Sequence, residues 1–421
     1  MKNALLKHRS GLVTALDIGS SKICCLIGKY NADNRLSVVG FSNRKSRGVK
    51  NGTIVNMEAA QRSILNAVHA AEQLAGTQID EVFVNLSSGQ PSSHLIGVEL
   101  DIEGQEVSER HLRRLIEFGR KSPELNSSNR FQLHTIPIDY SVDNERGIRD
   151  PRGMYGQTLA AQLHLVSSTQ SSVRNLITCI EKCHLEVKSV VLSPYASGLA
   201  SLLPDERNIG VTVIDMGAGT TSLTVFHNMS AVYSDVVPIG GNHITSDIAK
   251  GLSTTMASAE RLKALHGSAF SVSGDESETV EIEHMGEENV YEENRIPRAQ
   301  LISIIQPRLE EIFEQIRERL ENPALRRFIG RHVVLTGGGA QMHCIRDLAS
   351  VLLDKQVRIG KPTEIGGTPE LVASPEYSTA IGVLRFALES QGRANFALHS
   401  GDPEHRPGYG GRISDWIRKY F

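Results

Sequence analysis

Aromatic residues are scarce in this chain of 421 residues, at 5%, and the single tryptophan, Trp416, stands close to the C-terminus. No stretch reaches the roughly 18 uncharged apolar residues of a spanning helix, so no transmembrane helix is expected. An excess of one charge sign is also missing, since 45 Lys and Arg face 48 Asp and Glu for a net charge of −3. That balance leaves no domain-scale basic face and excludes a nucleic-acid binder. The five cysteines are odd in number and few for the length, which excludes a disulfide framework. Cys179 and Cys183 lie four apart on an expected helix, but no second pair stands at ligand spacing. They read as core residues. Residues 1–10 mix Lys2, Lys7, His8 and Arg9 with a short apolar pair and lack the apolar core of a signal peptide, so a cytosolic protein is expected.

Hydrophobic residues at 40% and charged residues at 22% are ordinary for a globular protein. At about 150 residues per domain the length accommodates roughly three units. The most informative feature is an internal echo. Val13–Gly28 reads VTALDIGSSKICCLIG, and Val211–Phe226 reads VTVIDMGAGTTSLTVF. Each is an apolar run, an Asp-x-Gly step, small or hydroxyl residues, and a second apolar run, the pattern of strand, tight turn and strand. Gly19, Gly217 and Gly219 let backbone N–H groups approach a phosphate without an intervening Cβ. Ser20, Ser21, Thr220 and Thr221 add hydroxyl donors, and Lys22 adds a point charge for phosphate. Asp17 and Asp215 supply hard oxygen ligands for Mg²⁺, through its retained waters. One such turn alone is a hairpin turn, because Asp and Gly favour turns for local reasons. Two copies in equivalent contexts point to phosphate binding. A third element, His332–Ala340, reads HVVLTGGGA: a strand running into Gly337, Gly338 and Gly339, then a helical segment that begins near Met342. This suits a backbone passing close to a flat ligand.

In this order the three elements resemble the phosphate 1, phosphate 2 and adenosine motifs of the actin, chaperone and sugar-kinase superfamily, and the resemblance covers nearly the whole chain. Further matches narrow it to the FtsA family of bacterial division proteins. Pro238–Lys250, PIGGNHITSDIAK, resembles that family's glycine pair before a helix near the phosphates, which implicates Gly240, Gly241 and Asn242. Ala259–Lys263, AERLK, resembles its helix that meets ribose and base. Glu260 and Lys263 share a face of that helix, where a plain ion pair is the alternative. Tyr377–Gly382, YSTAIG, resembles its late helix, and Asp150–Gly156, DPRGMYG, a loop in its 1C subdomain.

The resemblance implies an α/β, actin-like (ribonuclease H-like) two-lobed ATPase fold with a 1C-type inserted subdomain, and ATP with Mg²⁺ in the cleft between the lobes. The expected division is 1–84 for the first part of lobe one (1A), 85–164 for 1C and 165–207 for the 1A return. Residues 208–389 form lobe two (2A, with 2B at about 242–308), 390–410 a flexible linker and 411–421 a membrane-binding amphipathic helix. Within 1C, strands are expected at Ser93–Ile102 and Gln132–Tyr140 and a helix at Ser108–Arg120. Gly274–Glu293 is strongly acidic and reads as solvated surface with short strand-like pieces such as Thr279–Ile282. Gln300–Leu320 follows with helical apolar spacing, which Pro307 should kink or bound. Arg298 and Arg308 are placed on or near its exposed side, in the region where the resemblance implies docking of the C-terminal tail of FtsZ, the tubulin-like ring protein.

The last ten residues, RISDWIRKYF, put Ile413, Trp416, Ile417, Tyr420 and Phe421 on one helical stripe opposite Arg412, Arg418 and Lys419. Trp and aliphatic residues opposite basic ones is the composition of a helix lying in the lipid headgroup layer. The implied function is an ATP-binding division protein that forms filaments on the cytoplasmic face of the inner membrane, tethers FtsZ there, and meets other division proteins through 1C. The alternatives are another superfamily ATPase or kinase, or a pilus-assembly protein of the PilM type. Asp17 and Asp215 are the candidate catalytic residues. Leu192–Ala200, LSPYASGLA, puts Ser193 where chaperone relatives carry a carboxylate that orients water. A hydroxyl is a poor base at neutral pH, so hydrolysis is expected to be slow at most.

Overall fold

A computed structural model describes residues 11–30, 36–122, 129–283, 295–363, 365–366 and 372–399. The expected C-terminal membrane helix, the linker beyond residue 399 and the acidic stretch beyond residue 283 lie outside the described residues. In chain order the elements are β1 (Val13–Ile18), β2 (Lys22–Tyr30), β3 (Leu36–Lys45), β4 (Val49–Lys50), β5 (Thr53–Ile54), α1 (Met57–Ala75) and β6 (Glu81–Leu86). Then come β7 (Ser92–Asp101), α2 (Glu109–Arg120), β8 (Arg130–Val142), β9 (Glu145–Ile148), β10 (Thr158–Thr169), α3 (Gln170–Glu181), β11 (Glu186–Leu192), α4 (Ser193–Ser201) and α5 (Pro204–Ile209). The remainder is β12 (Val211–Met216), β13 (Thr221–His227), β14 (Ser230–Val237), α6 (Gly241–Gly251), α7 (Met256–His266), β15 (Thr279–Glu281), β16 (Arg295–Pro297) and α8 (Arg298–Leu320). It closes with β17 (His332–Thr336), α9 (Ile345–Leu353), β18 (Gln356–Ile359), β19 (Ile365–Gly366) and α10 (Ser378–His399).

The chain forms two compact units, one of residues up to Ser87 with Ser171–Ser201 and the chain from Lys361, the other of Ser88–Gln170 and Leu202–Gly360. In the first, the sheet order is β11-β6-β1-β2-β3-β19, with β1, β2 and β3 antiparallel and β6 and β11 parallel. In the second, the order is β14-β13-β12-β17-β18, again with an antiparallel trio extended by two parallel strands. The sequence echo is therefore an echo of sheet topology. β1 and β12 are the central strands and every residue of each is buried, which is why both are largely apolar.

Several expectations are corrected. The insertion does not end at 164, because β10 continues to Thr169 and pairs with β7 and β8 over that length. The second lobe does not reach 389, and no linker starts at 390. α10 runs to His399, and Ala380, Ile381, Leu384 and Leu388 share a core with Val13, Ala15 and Ala196 of the first unit. Pro307 does not end α8, which is one helix from Arg298 to Leu320. The lost backbone bond and ring clash cost about 3 kcal/mol, against a stripe of eight buried residues that includes Leu301, Ile305, Leu309, Ile312, Phe313 and Ile316.

The inserted sheet, β7-β10-β8-β9, buries one face under α2, where Leu112 and Leu115 meet Ile96, Leu100 and Leu163. Its placement in the second unit has a local cause. The Ser93 hydroxyl donates to the Ser234 carbonyl at 2.8 Å and accepts from the Ser234 N–H at 2.9 Å. His164, fully buried, donates Nδ1–H to the Ala231 carbonyl at 2.9 Å. These bonds pin β7 and β10 to β14, whose backbone would otherwise carry buried, unmet polar groups.

Candidate functional site

Both hairpin turns close in the same way. In the first, Gly19 N–H donates to the Lys22 carbonyl at 3.0 Å; in the second, Gly217 N–H donates to the Thr220 carbonyl at 2.9 Å. A Cβ on either glycine would stand 2.9 Å from that same carbonyl, so the turn is too tight for a side chain there. Register places Asp17 opposite Cys24 and Asp215 opposite Ser222, one residue before the end of β1 and of β12. Both aspartates are buried, at 6% and 7% exposure. A carboxylate so placed keeps its charge only with partners around it.

The surroundings of the turns differ. In the first, Ser20 Oγ accepts from Gly52 N–H at 2.9 Å, and Ser21 is exposed. Lys22 Nζ lies 2.8 Å from Glu376 Oε2 and 3.8 Å from the centroid of the Tyr377 ring. In the second, Gly219 and Thr220 are buried and the turn is capped by α6. Gly241 N–H donates to the Gly217 carbonyl at 3.0 Å and Asn242 N–H to the Ala218 carbonyl at 2.7 Å. Two N–H groups that a helix start would leave open are therefore used on the turn itself. A Cβ on Gly240 would come within 2.5 Å of the Gly217 carbonyl, so only glycine permits this approach. Gly240, Gly241 and Asn242 brace the turn, and the expected hydroxyl donor Thr221 is fully buried with its proton on the Ile239 carbonyl at 2.8 Å.

The triple glycine meets Asp215 through sheet pairing, since β17 runs parallel to β12 and sets Thr336 beside Asp215. Gly337 has φ +83°, and a Cβ there would overlap Asp215 Oδ1. Gly338 is exposed, Gly339 sits against Met216, and Met342 packs on the core. Glu260 and Lys263 do share a helix face. Lys263 Nζ donates to Glu260 at 2.7 Å, to Thr245 Oγ1 at 2.8 Å and to the Gly241 carbonyl at 3.1 Å. The lysine thus ties α7 to the start of α6.

The two arginines, expected on or near the exposed side, are part-exposed and engaged in ion pairs within the chain. Arg298 pairs with the buried Asp275 at 2.7 Å and donates to the His266 carbonyl at 2.9 Å. Arg308 holds Asp247 at 2.7 Å and also pairs with Glu311. A buried carboxylate such as Asp275 requires a cation, and α8 supplies it. The Cys179 and Cys183 thiols are pushed up to about 12 and about 11, chiefly by burial, which keeps them protonated. Among the described residues no group of three or more His, Cys, Asp or Glu could hold a metal.

Three residues near these turns gave no sequence signal. Asn85 accepts from Ile18 N–H at 2.7 Å and donates to Ser193 Oγ at 3.1 Å, joining the end of β1 to α4. Gly52 and Glu376 act on the first turn from 32 and 354 residues away. Local pattern carries no trace of such partners.

The profile of the family described as "Cell division protein FtsA" matches residues 212–382, and that of the "SHS2 domain inserted in FTSA" matches residues 89–167. The cell division protein FtsA of Rhizobium meliloti is 36% identical over 99% of this chain and 96% of its own length. The chain belongs to the FtsA family of cell-division proteins. The family's Pseudomonas aeruginosa protein is 32% identical over 90% of each chain, and the Escherichia coli protein 30% identical over 97% of this chain and 98% of its own. Among solved structures, a PilM–PilN type IV pilus biogenesis complex gives a TM-score of 0.62 at 16% identity, covering 89% of this chain and 98% of that one. MreB 5 of Spiroplasma citri bound to AMPPNP gives 0.56 at 15% identity, covering 93% and 99%. These likenesses establish the actin-like fold.

Proposed function

We propose that this division protein binds Mg·ATP, assembles into filaments on the cytoplasmic face of the inner membrane, and tethers FtsZ there. The observation that carries the nucleotide reading is the matched pair of turns, each with a buried aspartate at its root and a glycine that tolerates no Cβ. The first turn adds the cation Lys22 and the hydroxyls of Ser20 and Ser21 toward phosphate, and the Gly337–Gly339 loop offers bare backbone to the base. Asp17 and Asp215 suit magnesium, an ion that keeps several waters and takes one or two carboxylates beside the phosphates. When bound, that ion neutralises phosphate charge. Ser193, hydrogen-bonded to Asn85, gives the chain no strong base at that position, which supports slow hydrolysis at most.

Membrane attachment rests on the stripe of Ile413, Trp416, Ile417, Tyr420 and Phe421 with Arg418 and Lys419 opposite. Among the described residues no helix is long and apolar enough to cross a membrane. So short a helix holds a single subunit weakly, and many tails on one filament bind far more tightly through effective concentration. The test is sedimentation with anionic liposomes, with and without Mg·ATP. Wild-type protein should co-sediment strongly with Mg·ATP, and Trp416→Glu should not, with its ATP affinity unchanged. Equal sedimentation of both proteins would refute the anchor. For FtsZ, the region of α6 to α8 is the proposed dock. Since Arg298 and Arg308 already serve internal carboxylates, capture of an FtsZ tail peptide is the direct test, and no capture would remove this partner.

A further inference from the structure

We propose that Glu376 is a positioning residue of the phosphate site: it holds Lys22 in an ion pair that an arriving phosphate must displace. This rests on the nucleotide reading above. Lys22 is the closing residue of the first turn, where its carbonyl accepts from Gly19. Its side chain is 17% exposed and that of Glu376 34%, so water screens the pair less than one on the open surface. The seat is built on both sides. Tyr377, under the ammonium, accepts a hydrogen bond from Asn43 Nδ2 at 3.0 Å and meets Phe41 edge-on at 5.5 Å, both from β3. Glu376 and Tyr377 lie in a single 3₁₀ turn, Pro375–Tyr377, immediately before α10. That helix is fixed to α4, with Ser197 and Thr379 hydroxyls 2.9 Å apart and no room for a Cβ on Gly382 against Ala196.

Among the described residues, Lys22 Nζ has no partner beyond Glu376 and the Tyr377 face. A phosphate oxygen and a carboxylate compete for the same ammonium donors, and the carboxylate also repels the incoming phosphate. The pair thus keeps Lys22 in place before the nucleotide arrives and weakens the first contact with it. Gln at this position retains an oxygen that accepts from Nζ, and the aromatic face is untouched. Only the competing charge is lost.

The test is calorimetry of Mg·ATP and of adenosine on the full chain, in wild type, Glu376→Gln, Lys22→Met and the double variant. Glu376→Gln should bind Mg·ATP about threefold to tenfold more tightly, the range of a partly screened pair. The gain should vanish in the Lys22→Met background, and adenosine affinity should not change. Unchanged or weaker Mg·ATP binding by Glu376→Gln would overturn the inference. So would an equal gain without Lys22, which means general repulsion, or a parallel shift for adenosine, which means a structural disturbance. A wild-type chain that does not bind Mg·ATP removes the nucleotide reading and this inference with it, whereas binding without coupling removes this inference alone.

Discussion

The two hairpins share a turn geometry and differ in what holds it. The turn at Gly217 is braced by backbone, with the first N–H groups of α6 on its carbonyls and Gly240 pressed against it. The turn at Gly19 has one backbone brace, the Ser46 N–H on the Ser21 carbonyl at 2.9 Å, and is otherwise held by side chains, with Ser20 on Gly52 and Lys22 on Glu376. Backbone bracing leaves no latitude, because a helix start and a turn carbonyl cannot move independently. Side-chain bracing can be exchanged for a ligand. In the nucleotide site proposed above, the Gly217 turn is then the stiff half and the Gly19 turn the half whose charge is redirected.

The sharpest way to break this contrast is Gly240→Ala. Its Cβ would sit 2.5 Å from the Gly217 carbonyl and 2.8 Å from Thr220 N, both backbone atoms. Denaturant unfolding should show a loss of about 2–4 kcal/mol, and Mg·ATP binding should fall with it. If stability is retained, the brace is not rigid. Next in size, Asp215→Asn removes a carboxylate from the stiff half, and calorimetry should find Mg·ATP bound at least about tenfold more weakly, with assembly lost in parallel. Unchanged affinity would end the assignment of that aspartate.

Lys22→Met tests the other half. Because a single partly screened charge is removed, affinity should drop by only about threefold to tenfold, and stability should barely change. A drop as large as that of Asp215→Asn would mean that the first turn is the dominant contact. The smallest expected effect is Ser20→Ala, which takes the acceptor from Gly52 N–H at a cost of about 1 kcal/mol in denaturant unfolding. A larger loss would show that the first turn is as tightly braced as the second.

The repeat, the aspartates and the glycines were legible in the sequence because each is a local requirement. A turn that closes over four residues needs its glycine within those four, and a central strand buried on both faces is largely apolar. The partners of the turns were not legible. Thr221 looked like a donor for phosphate and is spent on Ile239, and Arg298 looked solvated and neutralises Asp275. Residue type states what a group can bond to, and only packing states which partner is nearest.

The same division holds for the domains. The amino-acid order alone determined two hairpins of one kind and an insertion between β6 and α3. Tertiary structure decided the ownership of segments. Residues 88–170 group with 202–360 because Ser93 and His164 bond to the backbone of β14. The helix at 378–399 groups with the first unit because its apolar face completes the core around Val13 and Ala196. Both outcomes depend on contacts between residues far apart in the chain, where burial of an apolar face or an unmet carbonyl selects the partner and sequence spacing does not.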